Sequence, residues 1–231
     1  MFAVVFEVTP KPDQWEAYLG YAKLLRPELE KIEGFIDNTR FASRRRPGAL
    51  LSLSTWRNEK ALIRWRTHAL HHGVQEKGRF EVFSDYRLRV GEVASDSRLP
   101  AGVSLPSERL DETERGASKL VAITERKLDA PPTETDAAGI AKHFGFSVAD
   151  GPVDWDVFED INRTGEFVLL TSWLDAAAAK ACPLKSGVDA RHRIIRVIRD
   201  YGMCDRAEAP QYYPPVPTSD ARKHQTTRRS P

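Results

Sequence analysis

Trp65, His68 and His72 are the residues of this 231-residue chain whose types and spacing could do chemistry. They stand three and seven positions apart, so on an α-helix they share one face. An indole offers a planar molecule a flat wall, and an imidazole can accept a proton or ligate a metal near neutral pH. Leu62 and Ala69 flank the same stripe, which turns that face inwards. The competing reading is a core helix, with Trp65 filling space and the histidines bonded to carbonyls or water. His71 lies one step round and is expected to be exposed. The segment FEVFSDYRLRV then places Tyr86 on one strand face and Arg87 with Arg89 on the other. An inward Arg87 would hold a phenolate or carboxylate by paired donors. An outward pair would sit at a strand edge or against Glu7. Phe6, Tyr86 and Arg87 are the candidate substrate-binding residues.

These residues need elements to position them. Residues 2–8 read as a strand with apolar side chains on both faces, hence covered on both sides. Asp13 is a candidate N-cap. From Trp15 to Ile32 apolar residues recur at three- and four-residue steps, a helix that Pro27 should kink or divide. Strands follow at about 35–43 and 49–55, separated by the basic turn 44–48, which reads as a solvated loop. A helix over about 58–72, a loop through Gly73 and Gly78, and a strand at about 80–93 complete the unit. The order β-α-β-β-α-β is ferredoxin-like: four antiparallel strands with two helices on one face. Its other face is bare and must be covered.

Residues 94–118 lose all period and read as a linker with a short helix near 106–115. The second half then repeats the first. LVAITER lines up with AVVFEV, placing Glu125 under Glu7. DVFEDINRTGEFVLLTSW lines up without a gap on NTRFASRRRPGALLSLSTW, matching Phe158 to Phe41, Gly165 to Gly48 and Trp173 to Trp56. RHRIIRVIRDY is the closing strand. The second copy has alanines where the first has Trp65 and the histidines, so one half is expected to work and the other to complete the architecture. The expected organisation is 1–93, linker 94–118, second copy 119–206 and a Pro-rich, then basic, tail 207–231.

FAVVFEV, LRPELEKIEGF, LLSLSTWRNEKALIRWRTHALHH and GRFEVFSDYRLRVGEV together resemble the antibiotic biosynthesis monooxygenase (ABM) family of the dimeric α/β-barrel superfamily. The resemblance covers about residues 2–93. It implies an α+β fold in which two ferredoxin-like units pack sheet to sheet, here within one chain, with a homodimer left open. It implies a cavity between sheet and helices, and either of two chemistries. One is cofactor-independent oxidation of a planar phenolic or quinone-type small molecule by dioxygen. The other is haem binding or degradation. Haem degraders of this fold pair a helix Trp and His with an Asn on the first strand. FAVVFEV has none, which counts against haem breakdown though not against haem binding. A non-catalytic binding or scaffold protein is the third reading.

Composition excludes several classes. With 35 Lys and Arg against 33 Asp and Glu, the net charge of +2 points to no nucleic acid. Two cysteines in no ligand spacing favour a reducing, cytoplasmic setting and no metal site. MFAVVFEVTP lacks the basic start of a signal peptide, and no stretch is long enough to cross a bilayer. No Gly-rich phosphate loop or GxSxG supports a nucleotide cofactor or a serine nucleophile.

Overall fold

The computed structural model describes residues 1–99, 101–128, 132–133, 136–181 and 190–210. The first half runs β1 (Phe2–Pro10), α1 (Trp15–Glu30), β2 (Phe35–Ser43), β3 (Leu50–Trp56), α2 (Glu59–Arg66), α3 (Ala69–Lys77) and β4 (Phe83–Asp96). The second runs β5 (Leu120–Lys127), α4 (Ala137–Lys142), β6 (Asp154–Asp160), β7 (Glu166–Trp173), α5 (Ala176–Ala181) and β8 (Arg191–Gly202). The eight strands of the described residues pair antiparallel into one closed barrel, β1-β3-β2-β6-β7-β5-β8-β4. Each half supplies a four-stranded ferredoxin-like sheet. The halves join edge to edge at β2–β6 and β4–β8, so no edge strand is left open. The bare face of each sheet is thereby covered by the other.

Strand alternation decides what each face does. Ala3, Val5, Leu51, Leu53, Val121, Ile123, Val168 and Ile195 point into the barrel and form its core. The opposite face of the first sheet carries Phe2, Val4, Phe6 and Val8, which meet the helices. Inside the barrel two matching polar devices bind half to half. Arg89 donates to Glu7 of its own half and to Ser172 Oγ of the other at 2.7 Å. Arg193 donates to Glu125 of its own half and to Thr55 Oγ1 of the other at 2.8 Å. The indoles repeat as well: Trp56 Nε1 donates to Ser54 Oγ and Trp173 Nε1 to Thr171 Oγ1, each two residues back. Gly48 and Gly165 both adopt a left-handed turn conformation, with φ of +80° and +85°. The duplication read from the sequence is thus repeated in hydrogen bonds.

Several local expectations are corrected. The basic turn is exposed, as a solvated loop is, but its arginines are also paired: Arg44, Arg45 and Arg46 meet Glu159, Asp154 and Asp156 on β6 and link the halves. Pro27 lies within α1 and does not divide it, and Gln14 rather than Asp13 is its N-cap. The linker has no helix near 106–115; it is tied down by Arg109 on Glu59 and by Glu208 on Thr113. The helix expected over 58–72 is broken at Thr67 and His68. The backbone of His68 is extended, and α3 restarts at Ala69 and continues through Gly73 to Lys77. Cys182 and residues 211–231 of the tail lie outside the described residues.

Candidate functional site

A cavity of about 220 Å³ lies between the outer face of the first sheet and helices α1 to α3. Its floor follows from strand register. One cross-strand row reads Arg40, Ser52, Phe6, Leu88, Tyr201 from β2 to β8. The next reads Asn38, Ser54, Val4, Val90, Arg199. All ten side chains line the cavity. The helices roof it with Tyr18 and Leu25 of α1, Trp65 of α2, and His71 and Gln75 of α3. A single π-helical turn, Gly78–Val82, then carries Arg79 to the wall. Such turns recur at functional sites because the extra residue re-aims a side chain.

Arg199 and Tyr201 reach the cavity through a β-bulge. On β8, Arg193, Ile195 and Val197 face the barrel, and strict alternation would send 199 and 201 there too. The register skips Ile198: Gly91 pairs with Val197 and Val90 with Arg199. The skip turns Arg199 and Tyr201 outwards onto the first half's floor and Asp200 inwards to Arg87. The second half therefore supplies part of the first half's site. Arg206, which follows β8, adds a donor to Tyr86 Oη at 2.6 Å.

The sequence candidates divide. Trp65, Phe6 and Tyr86 line the cavity. Arg87 does not: Nε and Nη2 donate to the two carboxylate oxygens of Asp200 at 3.0 and 2.6 Å, on the barrel side of β4. His68 and His72 are absent from the lining, and His72 is exposed. The break at Thr67–His68 changes the helical phase, so His71 takes the inward place. Its ring stacks on Trp65 with centroids 4.2 Å apart and planes 15° apart.

The state of His71 follows from its contacts. Nδ1 lies 2.9 Å from the carbonyl oxygen of Trp65. A carbonyl can only accept, so Nδ1 carries the proton and Nε2 keeps its lone pair. Burial lowers its pKa to about 4, although the carbonyl works the other way. The ring is therefore a neutral acceptor through the physiological range. Charge in the lining is one-sided: Arg40, Arg66, Arg79, Arg199 and Arg206 face one carboxylate, Glu59. Both oxygens of Glu59 are held by Arg109 at 2.9 Å. Among the described residues no cluster of His, Cys, Asp and Glu could hold a metal ion.

The antibiotic biosynthesis monooxygenase family model matches residues 1–77. Jasmonate monooxygenase ABM from Pyricularia oryzae is 43% identical over 222 residues, spanning 94% of this chain and all of that protein. The chain belongs to the antibiotic biosynthesis monooxygenase family. Two crystal structures of aldoxime dehydratase superpose with TM-scores of 0.52 and 0.50 at 10% and 12% identity. They cover 85% of this chain and 79% and 80% of their own, and at that identity they show the fold alone.

Among the described residues of this ABM-family chain, the second half packs the corresponding place with apolar side chains. In the second half, Ile140, Phe144 and Phe146 pack against Val157, Phe167 and Leu169, which occupies the place that the open cavity has in the first. Among the described residues no helix is long and apolar enough to cross a membrane.

The lowered pKa of His71 has a consequence for stability. Between about 4 and 6.5 the unfolded chain binds a proton at this ring that the fold refuses. Stability present above pH 6.5 is therefore lost as pH falls towards 4. In urea unfolding above and within that window, His71→Gln is expected to lose less stability than the parent chain. An equal loss in both would assign the acid sensitivity to other groups.

Proposed function

We propose that this chain oxygenates a small, largely apolar anion in the first-half cavity, without a resident cofactor. The observation that carries the reading is the lining: an apolar, aromatic pocket with five arginines against one already neutralised carboxylate. In a desolvated site those cations stabilise an anion far more than water-exposed ones would. The name of the 43%-identical relative points the same way, since jasmonate is a carboxylate. A phenolate of a planar polycyclic compound is the other anion that fits the charge.

The two substrates differ in electron demand. A phenol with an adjacent benzylic methylene can give its proton to His71 Nε2, while the arginines hold the anion. The carbanion form of the ring then reduces dioxygen directly. The sum R₂CH₂ + O₂ → R₂C=O + H₂O balances with no outside electrons. Trp65 and His71 present the flat wall for such a ring. Hydroxylation of an aliphatic carboxylate, RH + O₂ + 2e⁻ + 2H⁺ → ROH + H₂O, needs a reductant from solution. Oxygen uptake in metal-free buffer, with jasmonate and with an anthrone-type phenol, each with and without a reductant, separates them. Uptake with the phenol alone supports the self-sufficient route. Uptake with jasmonate only when reductant is present replaces it. No uptake in any condition rejects the oxygenase reading.

Haem is a poor match for these residues. The cavity of about 220 Å³ falls below the roughly 300–1,000 Å³ of pockets that hold drug-sized ligands, and a porphyrin is larger than most of those. Hemin added stepwise is expected to give no saturable Soret shift. A stoichiometric shift that vanishes in His71→Ala would replace this reading with a haem-dependent one.

A further inference from the structure

The floor of the cavity narrows the ligand class further, on the reading that an anion binds there. Both rows change polarity in the same sense from β2 to β8. Arg40 and Asn38 stand at the β2 end, Phe6, Val4, Leu88 and Val90 fill the middle, and Tyr201 and Arg199 stand at the β8 end.

The two ends offer different chemistry. Asn38 is only 9% exposed, and its Nδ2 donates to Ser52 Oγ at 3.0 Å and to Leu53 O at 3.1 Å. Those bonds fix the amide, so Oδ1 is an acceptor, and it is buried without a hydrogen-bond partner. One row along on β2, Arg40 Nε is a buried donor without a partner. A hydroxyl both donates and accepts, so it suits either atom, as donor to Asn38 Oδ1 or as acceptor from Arg40 Nε. A carboxylate there would set acceptor against Asn38 Oδ1. The β8 end presents donors. The Arg199 backbone is held in the β4–β8 ladder, whereas its side chain makes no hydrogen bond or ion pair with a described residue, although its charge reaches Asp111. Burial pushes the Tyr201 hydroxyl up to about 12, so it stays protonated, and the Arg206 guanidinium lies 5.5 Å from its ring centre. This set suits an acceptor-only carboxylate.

We propose that the cavity takes an elongated hydroxy-monocarboxylate lying across the strands. The carboxylate sits at Arg199 and Tyr201, the hydroxyl at Asn38 and Arg40, and the apolar midsection over Val4, Phe6, Leu88 and Val90. The inference rests on the anion reading and adds the second polar head and the orientation. The apolar floor is two strands wide, β1 and β4, about 10 Å across, and Ser52 and Ser54 of β3 separate it from β2.

Calorimetric titration of the full chain with 8-hydroxyoctanoate, octanoate and 1,8-octanediol tests it. The hydroxy acid is expected to bind about tenfold or more tighter than octanoate, because octanoate leaves Asn38 Oδ1 unpaired. Asn38→Ala should erase that difference. Arg199→Gln should weaken both acids alike and leave the diol unchanged. Equal binding of the two acids by the parent chain overturns the hydroxyl head and leaves the anion reading standing; that comparison needs no variant to fold. A diol that binds as well as the hydroxy acid, or a failure of both acids to bind, overturns the anion reading and this inference with it.

Discussion

Replacing His71 with alanine lowers turnover by about 10²–10⁴-fold, the range that a positioned proton acceptor contributes. The same change at His72 leaves turnover unaltered. His71 alone among the three neighbouring histidines lines the cavity, and its Nδ1–H is spent on the Trp65 carbonyl, so Nε2 is the acceptor that a substrate proton can reach. The stack on Trp65 holds the ring in place. His72 is exposed and His68 lies 3.8 Å from Glu28, outside the lining. Steady-state oxygen uptake of the two alanine variants, with circular dichroism to confirm folding, measures the effect. Equal losses at His71 and His72, or none at His71, would remove the imidazole from the chemistry.

Glu7→Ala destabilises the barrel by about 3–5 kcal/mol, the usual cost of leaving a buried charge unpaired. Glu7 is 5% exposed and takes hydrogen bonds from Arg89 and Arg46. Burial alone would raise its carboxyl pKa, but the charges of Arg89 and Arg46 outweigh that and hold it below the ordinary carboxylate value. Without it, Arg89 remains 1% exposed with Ser172 Oγ as its neutral partner. For a chain of this size the loss corresponds to a fall in Tm on the order of 10 °C. Glu7→Leu combined with Arg89→Met should recover much of it, since removing both charges leaves none stranded. Thermal denaturation in which the single variant melts with the parent chain would show that the pair does not hold the barrel closed.

Much of the fold was legible because alternation and repeat are local signals. The gapless match of Phe158, Gly165 and Trp173 to Phe41, Gly48 and Trp56 needs only a reading of one strand–turn–strand against another, and both halves form the same bonds. The site was legible in part. Phe6 and Tyr86 face the cavity because the β1–β4 register runs unshifted from Phe2 to Thr9 and from Asp85 to Glu92; its one shift, between Thr9 and Pro10, lies beyond them. Trp65 faces it because α2 is regular up to Arg66.

Two departures from period and one distant partner hid the rest. Thr67 and His68 break a helix with neither Gly nor Pro, which hands the inward place from His68 and His72 to His71. The bulge at Ile198 carries Arg199 and Tyr201 to the far half's cavity, a result of pairing with β4 that β8 cannot announce alone. Arg87 has the residue type of an anion clamp, but strand phase turns it to Asp200, a partner 113 positions away. The pairing of the exposed basic turn was hidden for the same reason. Its acidic counterparts lie on β6, beyond the reach of any local pattern.

Mass analysis of product formed under ¹⁸O₂, from jasmonate or an anthrone-type phenol, tests the central claim most directly. The account predicts one labelled oxygen atom in each product molecule, the second in water, and far less labelled product from His71→Ala in the same time. Product carrying only solvent oxygen, or as much labelled product from that variant as from the parent chain, would contradict oxygenation of a small anion in this cavity.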